Sequence, residues 1–325
     1  MGRSINFKIA DINIAILKLF RYIIILMKGL NMQQINWYPG HMAKAKRAIL
    51  KDLKLVDIII ELLDARIPFS SKNHDIDSWT NKPKIIILNK SDIACKKSTE
   101  IWKNYFSQKD SVILLNSKDR NGFSQITVVA EQIMHQKKEN AKNRGRIFTP
   151  TRAIIVGIPN VGKSTFINSY VKKSITKVEN KPGVTRSNQW IKINKSFELL
   201  DTPGMLPPKI ENETAGINLA ITGAIGYNTD KYTLAINLIT TLVKRYPTLL
   251  CHRYKLENIN IVADEILKQI AINRGLILKG NTIDIVRCCN MILEELRNNK
   301  IGRITLELPR DILIQRTKLI SSDIN

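Results

Sequence analysis

Eight consecutive residues, Gly157-Ile-Pro-Asn-Val-Gly-Lys-Ser164, carry the chemistry most easily named in this sequence. Two glycines flank a short loop, and a lysine and a hydroxyl follow the second. Glycines let successive backbone N–H groups curl around phosphates at a helix N-terminus, where the helix dipole favours negative charge. Lys163 is then expected to reach the β- and γ-phosphates of a nucleotide as a catalytic cation, and the Ser164 hydroxyl to ligate Mg2+. Asn160, Val161, Gly162 and Thr165 complete the loop around the phosphates. In Asp201-Thr-Pro-Gly204, roughly forty residues on, the aspartate can hold Mg2+ through water and the Gly204 N–H can touch the γ-phosphate. Between the two, Thr185 of Lys181-Pro-Gly-Val-Thr-Arg186 stands where a threonine can sense both Mg2+ and γ-phosphate. Ser164, Thr185 and Asp201 are therefore the expected metal set.

Two further motifs are suited to a base. Asn89-Lys-Ser-Asp92 offers an aspartate able to accept from both the N1–H and the exocyclic amine of guanine, a pair that adenine does not present. The Lys90 stem can cover the face of the ring, and Asn89 belongs to the same loop. Asn116-Ser-Lys118 can supply the last base contact through the backbone of Asn116, Ser117 and Lys118. Each motif alone is a weak signal. Five of them at matching places point to GTP rather than ATP, with Mg2+ as cofactor.

Such loops need a scaffold that brings them to one edge. Short apolar runs end at Asp64, Asn89, Asn116, Gly157 and Asp201, and helical patterns such as residues 124–142 fill intervals between them. Runs of this length, rich in β-branched residues, read as buried strands of a mostly parallel sheet. Alternation with helices predicts an α/β domain that binds ligands at the carboxyl ends of its strands. After residue 215, helical periodicity takes over at 218–224, 234–246, 260–274 and 284–298, with a short extended tail at 301–309. The expected fold class is α/β: a circularly permuted P-loop GTPase domain (32–210) with a mostly parallel sheet, followed by a smaller, mainly helical domain (211–325). It is permuted because the base-reading motifs precede the phosphate loop here and follow it in ordinary GTPases. A permuted connection can still assemble the same strands into one site, and it makes the Asp201–Gly204 loop lead directly into the helical domain.

Charge points to the partner. The formal net charge is +23 and the pI about 9.9, a balance that attracts polyanions, nucleic acid above all. Residues 211–325 hold 15 Lys+Arg against 12 Asp+Glu, so a net of +20 falls on residues 1–210. A uniformly lysine-rich composition does not concentrate charge in this way. Cys95, Cys251, Cys288 and Cys289 form no CxxC pair, which argues against a zinc site or disulfide framework and for reduced thiols in a cytoplasmic protein. Residues 12–27 are strongly apolar but interrupted by Lys18 and Arg21, too short and too charged for a membrane span. Residues 1–31 have the make-up of a targeting or interfacial segment, or of sequence preceding a true start at Met32; the second is the expectation.

With these residues in view, the chain resembles the circularly permuted ribosome-assembly GTPases of the RbgA (YlqF) family. The likeness runs from Trp37-Tyr-Pro-Gly-His-Met-Ala-Lys44, through Leu63-Asp-Ala-Arg-Ile-Pro-Phe-Ser-Ser71 and the nucleotide motifs, to Gly302-Arg-Ile-Thr-Leu306. The resemblance implies late maturation of the large ribosomal subunit, contacts with ribosomal RNA and proteins, and hydrolysis stimulated by the ribosomal particle. Ordinary regulatory GTPases carry a water-orienting glutamine after Gly204, where this chain has Met205. Related potassium-stimulated GTPases use an asparagine at the place of Asn160 to bind a monovalent cation, so K+ is a candidate cofactor. The resemblance also gives His41 a catalytic part, and imidazole exchanges protons near neutral pH. Asp64 and Arg66 read as strand-end residues that shape the site, and Cys288 and Cys289 as core. Two competing functions are a nucleotide-gated RNA-binding scaffold with negligible hydrolysis and a membrane-peripheral GTPase; no stable membrane insertion is expected.

Overall fold

The strand β1 (Ile58–Asp64) is buried along its whole length, as a strand flanked on both sides and covered on both faces must be. β2 (Lys84–Asn89) pairs with it on one side and β4 (Thr151–Gly157) on the other, both parallel. β3 (Ser111–Leu114), β5 (Gln189–Asn194) and β6 (Phe197–Asp201) complete a six-stranded sheet of order β3-β2-β1-β4-β6-β5. The computed structural model describes residues 39–119, 122–145, 150–174, 189–202, 213–225 and 230–312. The chain divides into two units, Met1–Pro39 and Gly40–Asn325, and the sheet and the helices after it lie in the second. The expectations for residues 1–31 fall outside the described residues, among which no helix is long and apolar enough to cross a membrane.

Only β5 runs antiparallel, against β6. Its sequence, Gln-Trp-Ile-Lys-Ile-Asn, alternates because an edge strand is covered on one face, and for that reason it did not register among the apolar runs. Helix α1 (Pro39–Leu53) lays Ile49 and Leu53 on Ile59, Ile154, Val156 and Leu200. α2 (Ile76–Trp79) adds Ile76 to that cluster, and α3 (Lys96–Phe106) packs Trp102 and Phe106 on Leu63, Ile86 and Leu88. On the other face, α4 (Phe123–Asn143) and α5 (Lys163–Ser174) meet β6 through Phe123, Phe166, Tyr170 and Phe197, with ring centroids 5.2 to 6.4 Å apart.

The helical region is α6 (Glu213–Ile221), α7 (Lys231–Arg245), α8 (Pro247–Tyr254), α9 (Ala263–Asn273) and α10 (Ile285–Arg297). α7 is central and buries Leu234, Ala235, Leu238, Ile239 and Leu242; Cys288 and Cys289 lie in the core, as expected. α6 ends at Ile221, short of the expected 224, because Gly223 adopts a positive φ of 74° and the Gly223 and Ala224 N–H groups turn back onto the Ala220 and Leu219 carbonyls. α7 begins at Lys231, earlier than expected, because the Asp230 carboxylate caps the Tyr232 N–H. α8 was not expected at all; Pro247 opens it and separates it from α7.

Candidate functional site

The carboxyl ends of β1, β2, β3, β4 and β6 carry the residues singled out by type and spacing, and three of these loops are stitched by one side chain. Asn89, at the end of β2, is buried; its Nδ2 donates to the Val161 carbonyl at 2.9 Å. Its Oδ1 accepts from the Ser117 N–H at 3.0 Å and the Ser117 hydroxyl at 2.7 Å. Asn89 thus ties its own loop to the phosphate-type loop and to the loop after β3. Gly162 shows why that loop needs a glycine: its φ is +101°, and a Cβ there would stand 2.5 Å from the Asn89 amide nitrogen. Asn116 closes its own turn by accepting from the Lys118 N–H at 3.0 Å.

Lys90, also at positive φ (60°), extends its ammonium to Asp64 Oδ2 at 2.8 Å and to the Asn160 carbonyl at 2.9 Å. Arg66 grips the same carboxylate through two parallel bonds of 3.0 and 2.8 Å. Burial pushes the Asp64 carboxyl up, but Arg66 and Lys90 outweigh it and hold the group well below the ordinary carboxylate range. Burial likewise works against the Arg66 cation, and Asp64 reverses the sign so that its pKa rises, with Asp92 adding to the effect. Asp92, half-buried, therefore sits in the field of Arg66. The types of Asp64 and Arg66 alone imply no chemistry; the signal for their buried ion pair is an Asp-x-Arg spacing at the end of an apolar strand.

On the phosphate side, the Lys163 ammonium donates to the Thr202 carbonyl and lies 4.0 Å from Asp201 Oδ1. Burial lowers its pKa, and Asp201 opposes that shift. Thr202 is itself fixed by a 2.6 Å bond from its hydroxyl to the Ile155 carbonyl. Ser164 and Thr165 open α5 with exposed side chains, and Val161 is buried. Asn160, at φ 58°, donates from Nδ2 to the Gly223 carbonyl at 3.1 Å, with Ala224 at 3.5 Å, joining this loop to the turn after α6. Nothing in the sequence signalled Gly223 as its partner. Thr185, Gly204 and Met205 lie outside the described residues; His41 belongs to α1 by its backbone, and its side chain is outside them.

Strand ends that gather a glycine-bounded lysine loop, an Asn-Lys-x-Asp loop and a buried network joining them define a P-loop GTPase, one whose base-reading strands precede its phosphate-binding strand. The family described as 50S ribosome-binding GTPase matches residues 152–274, beginning at β4 and leaving residues 89–92 outside the match. Ribosome biogenesis GTPase A of Bacillus cereus is 42% identical over 280 residues, covering 85% of this chain and 95% of that protein. Its counterpart in Thermotoga maritima is 31% identical over 280 residues, covering 86% of this chain and 96% of that one. The GNP-bound crystal structure of YlqF from T. maritima superposes with a TM-score of 0.55 at 29% identity, covering 82% of this chain and 98% of the other. This chain belongs to the ribosome biogenesis GTPase A (RbgA/YlqF) family. It is a circularly permuted GTPase of ribosome assembly that hydrolyses GTP, and Mg2+ is the usual companion of that nucleotide.

Proposed function

We propose that this GTPase binds the maturing large ribosomal subunit and couples GTP hydrolysis to a late step of its assembly. The observation that carries this reading is the bond from the Asn160 side chain to the Gly223 carbonyl. A loop that holds phosphate is joined directly to the helical region, so a change at the phosphates is felt by a second body that can contact a particle. GTP can favour binding only if it stabilises one arrangement of these parts over another. Attraction to RNA comes from α1 and the turn after it, where Lys46, Arg47, Lys51 and Lys54 are exposed. We take residues 32–210 as the GTPase domain and 211–325 as the RNA- or ribosome-contacting domain of a cytoplasmic protein.

In this reading GTP lies across the strand ends. Asp92 reads the guanine edge, the Lys90 stem covers the ring, and the backbone of residues 116–118 closes the base pocket. The backbone of residues 160–165 and Gly204 hold the phosphates, and Lys163 exchanges the Thr202 carbonyl for phosphate oxygens. Ser164, Thr185 and Asp201 hold Mg2+. Ser164 opens α5 beside Lys163, whose ammonium is 4.0 Å from Asp201, so one hydroxyl and one carboxylate flank the phosphate loop. Such a donor set suits an ion that keeps water and phosphate oxygens for its remaining positions and neutralises charge on the transferred group. Asn160 would hold K+, which would supply positive charge at the phosphates, and His41 would serve the hydrolytic step when the particle orders it.

Sedimentation with large-subunit precursors across a salt series tests the proposal. The form bound to a non-hydrolysable GTP analogue should be retained and the GDP form released, with both weakening as salt rises. Charge reversal at Lys46, Arg47, Lys51 and Lys54 should weaken both forms and flatten the salt slope without changing nucleotide affinity. Equal retention of the two forms at every salt concentration would leave a basic RNA-binding protein without a switch.

A further inference from the structure

The loop that follows the base-reading residues is bonded to a segment from the far end of the chain. The Ile304 N–H donates to the Ile93 carbonyl at 3.2 Å, one residue past Asp92. The Thr305 hydroxyl accepts from the Cys95 N–H and donates to the Ala65 carbonyl, both at 3.2 Å. The Leu306 N–H donates to the Arg66 carbonyl at 2.8 Å. Glu307 then takes four donors: the Phe69 N–H at 2.5 Å, the Ser70 N–H at 2.9 Å, the Ser70 hydroxyl, and Asn218 Nδ2 at 3.0 Å. Its carbonyl accepts from the Trp102 indole at 2.9 Å.

The helical region holds this segment from behind. The Tyr246 hydroxyl donates to the Thr305 carbonyl at 2.9 Å and receives the Thr305 N–H at 3.0 Å. Asn218 belongs to α6. The segment leaves Gly302 at φ +131°, where a Cβ would meet Leu249 of α8 at 3.0 Å. Thr305 is wholly buried and Glu307 nearly so. Bonds of this kind, shut away from water, are costly to leave unmade.

We infer that Thr305 and Glu307 are positioning residues for guanine recognition. The segment 304–307 is a strap whose one side fixes the loop after Asp92 and whose other side fixes residues 65–70, next to the Asp64 that anchors Lys90. Base discrimination then depends on residues that never touch the nucleotide, and through Tyr246 and Asn218 it depends on the helical region. The inference rests on the reading that residues 89–92 contact the base, and the test separates the two.

Affinities of the full chain for GTP and for inosine triphosphate, which lacks the exocyclic amine, are measured by competition against a fluorescent GDP. Thr305→Val removes both hydroxyl bonds at nearly constant volume. It should lower GTP affinity about tenfold, the size of an unsatisfied buried group, and should narrow the preference for GTP over the inosine nucleotide. Thr305→Ser restores the hydroxyl and should restore the preference. General loosening would weaken both nucleotides together and leave their ratio unchanged. Should Thr305→Val fail to fold by circular dichroism, Tyr246→Phe releases the strap from behind and should narrow the ratio to a smaller extent. Asp92→Asn serves as the control for the underlying reading. If it keeps guanine preference, the base assignment fails and the strap inference with it. If Asp92→Asn loses the preference while a folded strap variant keeps the wild-type ratio, the inference alone is overturned.

Discussion

Among the described residues, the helical region meets the carboxyl edge of the sheet in two places, and they are built differently. On the base side, the strap and Glu307 bury a continuous set of bonds between residues 65–70, the loop at 93–95 and the helical residues Tyr246 and Asn218. On the phosphate side, the exposed Asn160 reaches the Gly223 and Ala224 carbonyls with one amide group. The turn it touches is steadied by Arg297, which donates to the Ile221 and Ala220 carbonyls at 2.9 and 2.8 Å. A buried network resists rearrangement, whereas an exposed amide can trade its partner for water or an ion at little cost. In the proposed reading, base recognition therefore rests on the part of the fold that resists rearrangement, and the Asn160 contact is the one free to change with the state of the nucleotide.

The largest effect should come from breaking the base side at its ion pair. Asp64→Ala leaves Arg66, 3% exposed, and Lys90 without their counter-charge, and should cost about 3–5 kcal/mol in chemical denaturation. A loss below about 1 kcal/mol would show that the network does not hold this side together. Acid should reach the carboxylates in turn. Asp77 is pushed up by burial yet pulled to about 2 by Lys72 and Lys84, and Asp64 is depressed further. Because both folded-state values lie below the unfolded ones, their stabilisation is full above about pH 4 and is lost as pH falls toward 2, with Asp64 the later to protonate. A denaturation midpoint unchanged from pH 5 to pH 2 would contradict this.

Next in size, Asp92→Asn should weaken GTP binding by about 2 kcal/mol and admit xanthine nucleotides, whose exocyclic carbonyl can pair with an amide. Competition binding reads both changes, and an unaltered guanine preference would remove Asp92 from the base pocket. The smallest effect belongs to the phosphate side. Hydrolysis should run a few-fold faster in K+ than in Na+ at matched ionic strength, a difference of about 1 kcal/mol or less, and Asn160→Ala should abolish it while leaving guanine preference intact. Equal rates of the parent protein in the two salts would sink the cation proposal. Altered base preference in Asn160→Ala would instead show that the two sides are not separable.

The mostly parallel sheet, the place of residues 89–92, 116–118, 157–164 and 201–202 at its strand ends, and the helical character beyond residue 215 were legible because each is written locally, in apolar runs and in glycine, lysine and aspartate spacing. What escaped was set by partners distant in sequence. β5 alternates because its edge is open, and α8 stands apart only because Pro247 starts a new helix. Asn89 reads as part of the base loop, and the bonds by which its side chain also ties that loop to Val161 and Ser117 are not written in the motif. In the tail Leu306-Glu-Leu-Pro309, a glutamate between leucines has the pattern of a solvent-facing strand position. Its four donors come from three residues that no periodicity connects to it.

Glu307 lies 238 residues beyond Phe69 and 89 beyond Asn218. During synthesis the base-reading loop, the phosphate loop and most of the helical region leave the ribosome before the strap has been translated. A nascent chain at that stage can pair its strands but cannot close the bonds around residues 65–70 and 93–95, which await residues 304–307. If the strap positions the base-reading loop as proposed, tight guanine binding is expected only once residues 304–307 have been translated, and nascent chains stopped before them should fail to load nucleotide.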